Sequence, residues 1–366
     1  MSLKKLLIFA ITLYCYLSTP CFSMENAFYI LRPAPHVKSK FDQDAFTSLS
    51  QHYQSINILI SQAYRINQQG LVAGYMDKDI IQFSRQHNLK IIAMVTNSGF
   101  DKDKVHLFLQ NRPAQKNAIN TLLVLCQENH LNGIQFDFEG VSRKDRLALT
   151  KFYHEVYDAF HAKGYLVSFA VVPLVADGKQ PTDFQQRKYD NWGGAYDLAA
   201  LSKYSDFITI MSYDQHTQGT TPGPTANIRW VEATLKYTLH YVPANKISLG
   251  IPTYSGYWYI RDQSHGKLRV NLDDISYQQA DNILKKFRVK LNWDNDSKIN
   301  FAFYQRDWLN EYLFVEDARS FKAKYNLAKK YGIRGISVFN LGNEDPRIWK
   351  TALCSPPSCT NSEQSI

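Results

Sequence analysis

Glycine and proline are sparse in this 366-residue chain, at 17 and 13 residues, and no low-complexity tract occurs. That excludes collagen-like and Pro/Gly-rich disordered classes. A charged fraction of 20% against 45% hydrophobic excludes a coreless, solvated chain. Cysteine is scarcer still, five in all, and none falls in the paired spacing that holds zinc. No stretch approaches the roughly 20 apolar residues of a membrane helix, so stable membrane insertion is not expected. Dense basic runs are missing too. The net charge of +9 comes from scattered Lys and Arg, which argues against a nucleic-acid partner and leaves a weak attraction to anionic surfaces such as a bacterial wall. No metal or cofactor motif is present.

What is present begins with a leader. Lys4 and Lys5, the apolar run Leu6–Leu17 and the small polar turn Ser18-Thr19-Pro20 are laid out as a secretory signal peptide over residues 1–23. The expected location is therefore secreted or periplasmic. Pro20 before Cys21 fits a lipid-attachment site poorly. In an oxidising compartment, Cys354 and Cys359 are expected to form a local disulfide within a flexible tail, residues 354–366. Cys126, beside the apolar run Leu122–Leu125, reads as a buried, unreactive thiol.

Between leader and tail, residues 24–353, eight short β-branched and aromatic runs alternate with helical periodicity. The runs are Ala27–Leu31, Ile56–Gln62, Leu89–Thr96, Gly133–Glu139, Leu166–Pro173, Phe207–Asp214, Ile247–Thr253 and Gly335–Leu341. Amphipathic segments such as Asp77–His87, Arg112–Glu128, Arg143–Lys163 and Asn227–Tyr241 separate them. This alternation implies parallel strands with crossover helices, and eight of them imply an α/β fold closed as a (β/α)8 TIM barrel. The spacing breaks once, after the seventh run. Residues 254–312 mix strand-like pieces with the helix Ser276–Phe287, so a small α+β insertion is expected there, forming one wall of a cleft at the strands' C-terminal ends.

The fourth run carries the chemistry. Side chains alternate along a strand, so Ile134, Phe136 and Phe138 face the helices while Gln135, Asp137 and Glu139 point into the barrel. Glu139 lies nearest the mouth, with Asp137 about 7 Å deeper. Successive inward carboxylates are costly unless they share a proton or are hydrogen-bonded, and one ionised neighbour raises the other's pKa. Periodicity alone leaves two readings open: an acid–base pair usable near neutral pH, or a hydrogen-bonded polar plug or cation pair. No His or third carboxylate lies nearby to complete a metal site.

At this point the chain resembles glycoside hydrolase family 18, the chitinase-like barrels. Asn132–Glu139 is similar to that family's fourth-strand signature, and Met211-Ser212-Tyr213-Asp214 to its Met-x-Tyr-Asp motif. Gly250-Ile251-Pro252-Thr253-Tyr254 resembles the seventh-strand motif. Gly223-Pro224 with Trp230-Val231, the segment Phe314–Ser320 and Gly342-Asn343-Glu344-Asp345-Pro346 resemble the bacterial branch of spore-cortex-lytic and other wall-active enzymes. The likeness runs from about Phe28 to Trp349.

The resemblance implies hydrolysis of a β-linked N-acetylglucosamine polymer with retention, the substrate's own acetamido oxygen serving as nucleophile. It gives Glu139 the role of acid, then base. Asp137 would orient the acetamido group and raise Glu139, and Tyr213 would donate to the acetamido oxygen. Asp214 and Met211 would shape the same subsite, with Phe339, Tyr254 and Gln135 contacting the substrate there. Taken alone, Tyr213 reads equally as a core aromatic and Met211 as packing.

Three positions depart from the family pattern. Asn132 and Gln135 replace acidic residues, and with one repulsive neighbour gone Asp137 is expected to ionise more readily. Phe339 stands where many relatives carry Trp, offering a smaller floor to the central sugar. Peptidoglycan fragments are favoured over chitin, because the branch motifs are bacterial. The alternative is a catalytically weak or inactive glycan-binding protein on the same barrel. A monomer, with a glycan as its partner, is expected.

Overall fold

The computed structural model describes residues 24–31, 40–263 and 267–353. The expected leader and the Cys354–Cys359 disulfide lie outside the described residues. Eight parallel strands form the centre: β1 (Glu25–Ile30), β2 (Ile58–Ile66), β3 (Lys90–Asn97), β4 (Gly133–Asp137), β5 (Leu166–Val171), β6 (Phe207–Ile210), β7 (Ile247–Pro252) and β8 (Gly335–Phe339). Each pairs with its neighbours in order, and β8 pairs back onto β1, which closes the barrel. A short antiparallel strand, Val72–Gly74, borders the end of β2.

The strands are buried on both faces, largely apolar toward the helices and mixed toward the barrel interior. Outward side chains such as Phe28, Leu59, Ile134, Phe136 and Val338 pack under the helices. Inward ones, including Tyr29, Ile60, Met94 and Phe207, fill the barrel as a second, smaller cluster. Behind β4 the outward layer is aromatic. Phe138 packs on Phe108, Phe152 and Tyr153, and Phe136 on Phe152 and Phe169. Truncating a buried ring in such a cluster costs about 3–5 kcal/mol, so β4 is held firmly from outside.

After β7 the chain leaves the barrel for a five-stranded antiparallel sheet, Ser255–Gln263, Lys267–Ile275, Asn292–Asp294, Ile299–Arg306 and Leu309–Val315, with the helix Tyr277–Phe287 packed on it. This is the α+β insertion. Gln218, in the loop after β6, pins it at both ends of its amide: Nε2 donates to the Val270 carbonyl at 2.9 Å and Oε1 accepts from the Leu272 N–H at 2.9 Å. The helix Ala318–Lys330 then returns to β8. Its Lys324 is fully buried, paired with Glu316 at 2.7 Å.

Six strands stop earlier than their apolar runs, β6 by the widest margin. β4 ends at Asp137 and β6 at Ile210. Beyond Ile210, the Ser212 N–H donates to Ile210 O at 2.8 Å and the Tyr213 N–H to Met211 O at 2.7 Å, tight local turns that take the chain out of the ladder.

Candidate active site

The barrel interior beneath the mouth is a polar chain. The Tyr29 hydroxyl donates to Gln135 Oε1 at 2.7 Å, and Gln135 Nε2 donates to Thr209 at 3.2 Å. Thr209 then joins Ser337 at 3.0 Å, and Ser337 joins Ser248 at 2.7 Å. Gln135 is fully buried with both ends of its amide occupied, so it supports the site from below; this corrects its expected role as a substrate contact. Asn132 sits at the other end of β4, pairing with the Ile91 backbone.

Above this layer stands Asp137, 6% exposed, whose Oδ1 is buried without a hydrogen-bond partner. Burial raises its pKa to about 7. Desolvation is the cause of that rise, with Gln135 adding no charge of its own. Glu139, two residues on, is raised to about 8, first by burial and then by the negative charges of Asp137 and Asp214. The pair titrates as a unit, with the proton held at neutral pH.

Glu139 lies beyond the ladder, yet its backbone is fixed. The side chain of Asn97, at the end of β3, accepts from the Glu139 N–H at 2.9 Å and donates to its carbonyl at 2.8 Å. The Tyr196 hydroxyl donates to the carbonyl of Phe138. No periodicity announces Asn97, because the contact joins residues 42 apart.

Tyr213 and Asp214 reach the same place from β6. Burial pushes the Tyr213 phenol well up, and the charges of Asp137, Asp214 and Glu139 add to it, which puts all four groups in one another's field. The Tyr213 ring stacks on Phe339 at 5.5 Å and, with Met211 and Ala170, forms a small apolar floor. There is no slack beneath it: a Cβ at Gly250 would lie 2.3 Å from the Ile210 carbonyl and 2.9 Å from the Tyr213 ring. Asp214 has φ +57° and accepts a hydrogen bond from Tyr254, itself edge-on to Phe339. Asp274, from the insertion, is exposed, yet its carboxyl is raised to about 6, first by partial desolvation and then by Asp214 and Asp273. The insertion thus supplies a wall, with a carboxyl that sequence reasoning missed.

The arrangement is a protonated carboxylic acid, a second buried carboxyl with an open acceptor, and a phenol on an aromatic floor, all at the mouth of a closed barrel. It defines a glycoside hydrolase of the chitinase-like class. The sequence profile described as Glycosyl hydrolases family 18 matches residues 38–344, and the chain belongs to that family. It is 27% identical over 315 residues to the uncharacterized glycosylase YvbX of Bacillus subtilis, covering 84% of this chain and 87% of that protein. To the cortical fragment-lytic enzyme of the same species it is 28% identical over 262 residues, 71% of this chain and 58% of the relative. Among solved structures, the spore cortex-lytic enzyme SleL of Bacillus cereus superposes with TM-score 0.79 at 23% identity, over 90% of this chain and 73% of that one. A chitinase from Chromobacterium violaceum does so with TM-score 0.77 at 26% identity, over 90% of this chain and 98% of that one.

Proposed function

We propose that the protein is a secreted or periplasmic retaining glycosidase that cleaves β-linked N-acetylglucosamine-containing glycan, peptidoglycan fragments ahead of chitin, by substrate-assisted catalysis. The observation that carries this is the gathering of Asp137, Glu139, Tyr213 and Asp214 at the mouth, where burial and the charges of Asp137 and Asp214 raise Glu139. The similarity to cortical fragment-lytic enzymes supports the choice of polymer, and Lys4, Lys5 and Leu6–Leu17 support the location.

In the first half-reaction the acetamido oxygen attacks C1 and the glycosidic C1–O bond breaks. The leaving oxygen takes the proton of Glu139. Asp137 Oδ1, without a partner in the free protein, accepts the acetamido N–H and balances the charge that develops on that nitrogen. Tyr213 donates to the acetamido oxygen and fixes it below C1, a gain from positioning. In the second half-reaction water attacks C1, Glu139 takes the water's proton, and the bond to the acetamido oxygen breaks. Two inversions give net retention.

The nucleophile belongs to the substrate, which gives a direct test. A β-linked N-acetylglucosamine tetramer is hydrolysed, while the same tetramer without its acetyl groups is not, a difference of at least about 10³ given the effective molarity of a held neighbouring group. Equal rates on both would remove the substrate-assisted route. Affinity for the acetylated tetramer with no product after long incubation would favour the glycan-binding alternative.

A further inference from the structure

We propose that a hollow beside Glu139 is a subsite for a carboxylate-bearing sugar unit, by which the enzyme selects an acidic amino-sugar glycan over a neutral one of equal length. The proposal rests on the glycosidase reading above.

The hollow has a volume of about 420 Å³, within the range of about 300–1,000 Å³ usual for small-ligand sites. It opens at the barrel mouth between the loop after β3, the residue after Glu139 and the long connection from β5 to β6. Its place relative to the acid is fixed twice. Gly140, one residue beyond Glu139, lines it with φ +66°, and a Cβ there would lie 2.3 Å from the Phe100 carbonyl, so the two loops touch. On the other side Lys188, also in the lining, is close enough to Asp214 for their charges to interact.

The lining is chemically one-sided. Lys102, Arg187 and Lys188 bring three positive charges, and no Asp or Glu is among the lining residues. Among the described residues neither Lys102 nor Arg187 has an ion-pair partner; Lys102 has only Asn191 Oδ1 at 3.5 Å. Phe100, Phe184 and Trp192 stand partly exposed around them, with the Lys188 ammonium over the Phe184 ring at 5.9 Å. Phe100 sits at φ +49°, a backbone region rare for a non-glycine residue and concentrated at ligand sites. Trp192 is carried by a single π-helical turn, Tyr189–Gly193, a form likewise frequent at functional sites.

Exposed rings beside unpaired cations suit a ligand with a ring face and an anionic substituent. A guanidinium matches a carboxylate in two parallel hydrogen bonds, which makes Arg187 the main anchor and the two lysines supporting charges. Chitin is neutral along its length. In peptidoglycan whose stem peptides have been removed, the lactyl ether leaves a free carboxylate on alternate sugars, and that is the substituent the hollow would take.

The test uses two tetramers, one of N-acetylglucosamine alone and one alternating with its lactyl-ether derivative, and reads the ratio of their kcat/KM values. Arg187→Ala is expected to lower the acidic-to-neutral ratio about tenfold, the loss of one charge-assisted contact, and Lys102→Ala with Arg187→Ala to lower it further. Methyl-esterifying the lactyl carboxylate should lower the ratio of the unaltered enzyme in the same way. Lys163→Gln, a charge change just before β5 at the opposite end of the barrel, should leave the ratio where it is. An unchanged ratio in the Arg187 and double variants, or an equal fall with Lys163→Gln, overturns the proposal. If the enzyme cleaves neither tetramer, the glycosidase reading has failed. Calorimetric binding to the Glu139→Gln protein then decides the subsite on its own: a preference for the acidic tetramer that disappears with Arg187→Ala supports it, and no preference overturns it.

Discussion

Glu139→Gln is expected to lower kcat on an N-acetylglucosamine oligomer by about 10²–10⁴-fold, the range lost with a general acid, while KM changes little. The amide keeps the shape of the side chain and the Asn97 clamp on its backbone, and removes only the transferable proton. The same variant should be more stable than the unaltered protein at neutral and higher pH. Burial makes the folded chain bind the Glu139 proton more tightly than the unfolded one. Between about pH 4, where an unfolded carboxyl titrates, and about 8, the folded state therefore holds more protons, and stability falls as pH rises. Glutamine has no such dependence. Its advantage should be near nothing at about pH 4 and greatest above about pH 8, read by chemical denaturation at both ends. An inactive variant with no such pH-dependent gain would mean that the Glu139 carboxyl is not held protonated by its surroundings.

Asp137→Asn should have the second largest effect, a fall in kcat/KM of about 10²–10³-fold, as for the loss of one preorganised electrostatic contact to the transition state. Its pH profile is the more informative readout. The proposed mechanism needs Asp137 ionised and Glu139 protonated, so it predicts for the unaltered enzyme a narrow bell between the two macroscopic values of the pair. With asparagine at 137 the acidic limb belonging to that carboxyl disappears. The basic limb moves to lower pH, because one of the two charges that raise Glu139 beyond the effect of burial is gone. A basic limb that stays in place would show that Asp137 does not tune the acid.

How much of this could be read in advance follows from the range of each interaction. The alternation along β4 was legible, since strand geometry alone sends Asp137 and Glu139 inward and Phe136 and Phe138 outward. The helix Arg112–Glu128 was legible to the residue from its amphipathic periodicity, and in the structure Asn111 caps its start with Pro113 in the first turn. The helix Ala318–Lys330 was not, because Lys324 interrupts its apolar face and is tolerated only through its ion pair with Glu316. Nor were the insertion strands Ser255–Gln263 and Leu309–Val315 seen, whose aromatic and charged residues are mixed without clean alternation. At the site, alternation announced the two inward carboxyls, while their roles and that of the Tyr213 phenol came with the family resemblance. Asn97, Asp274 and Lys188 stayed hidden, because each acts through a neighbour distant in sequence. The size of the rise at Asp137 was not legible, because it comes from burial, which a count of charged neighbours along the strand does not weigh.

The most direct measurement is the anomeric form of the sugar released in the first turnovers, followed by proton NMR before mutarotation sets in. An acid at 139 working with a neighbouring acetamido nucleophile releases the β-anomer. An α-anomer would mean that water strikes C1 directly, and the roles given to Asp137 and Tyr213 could not stand.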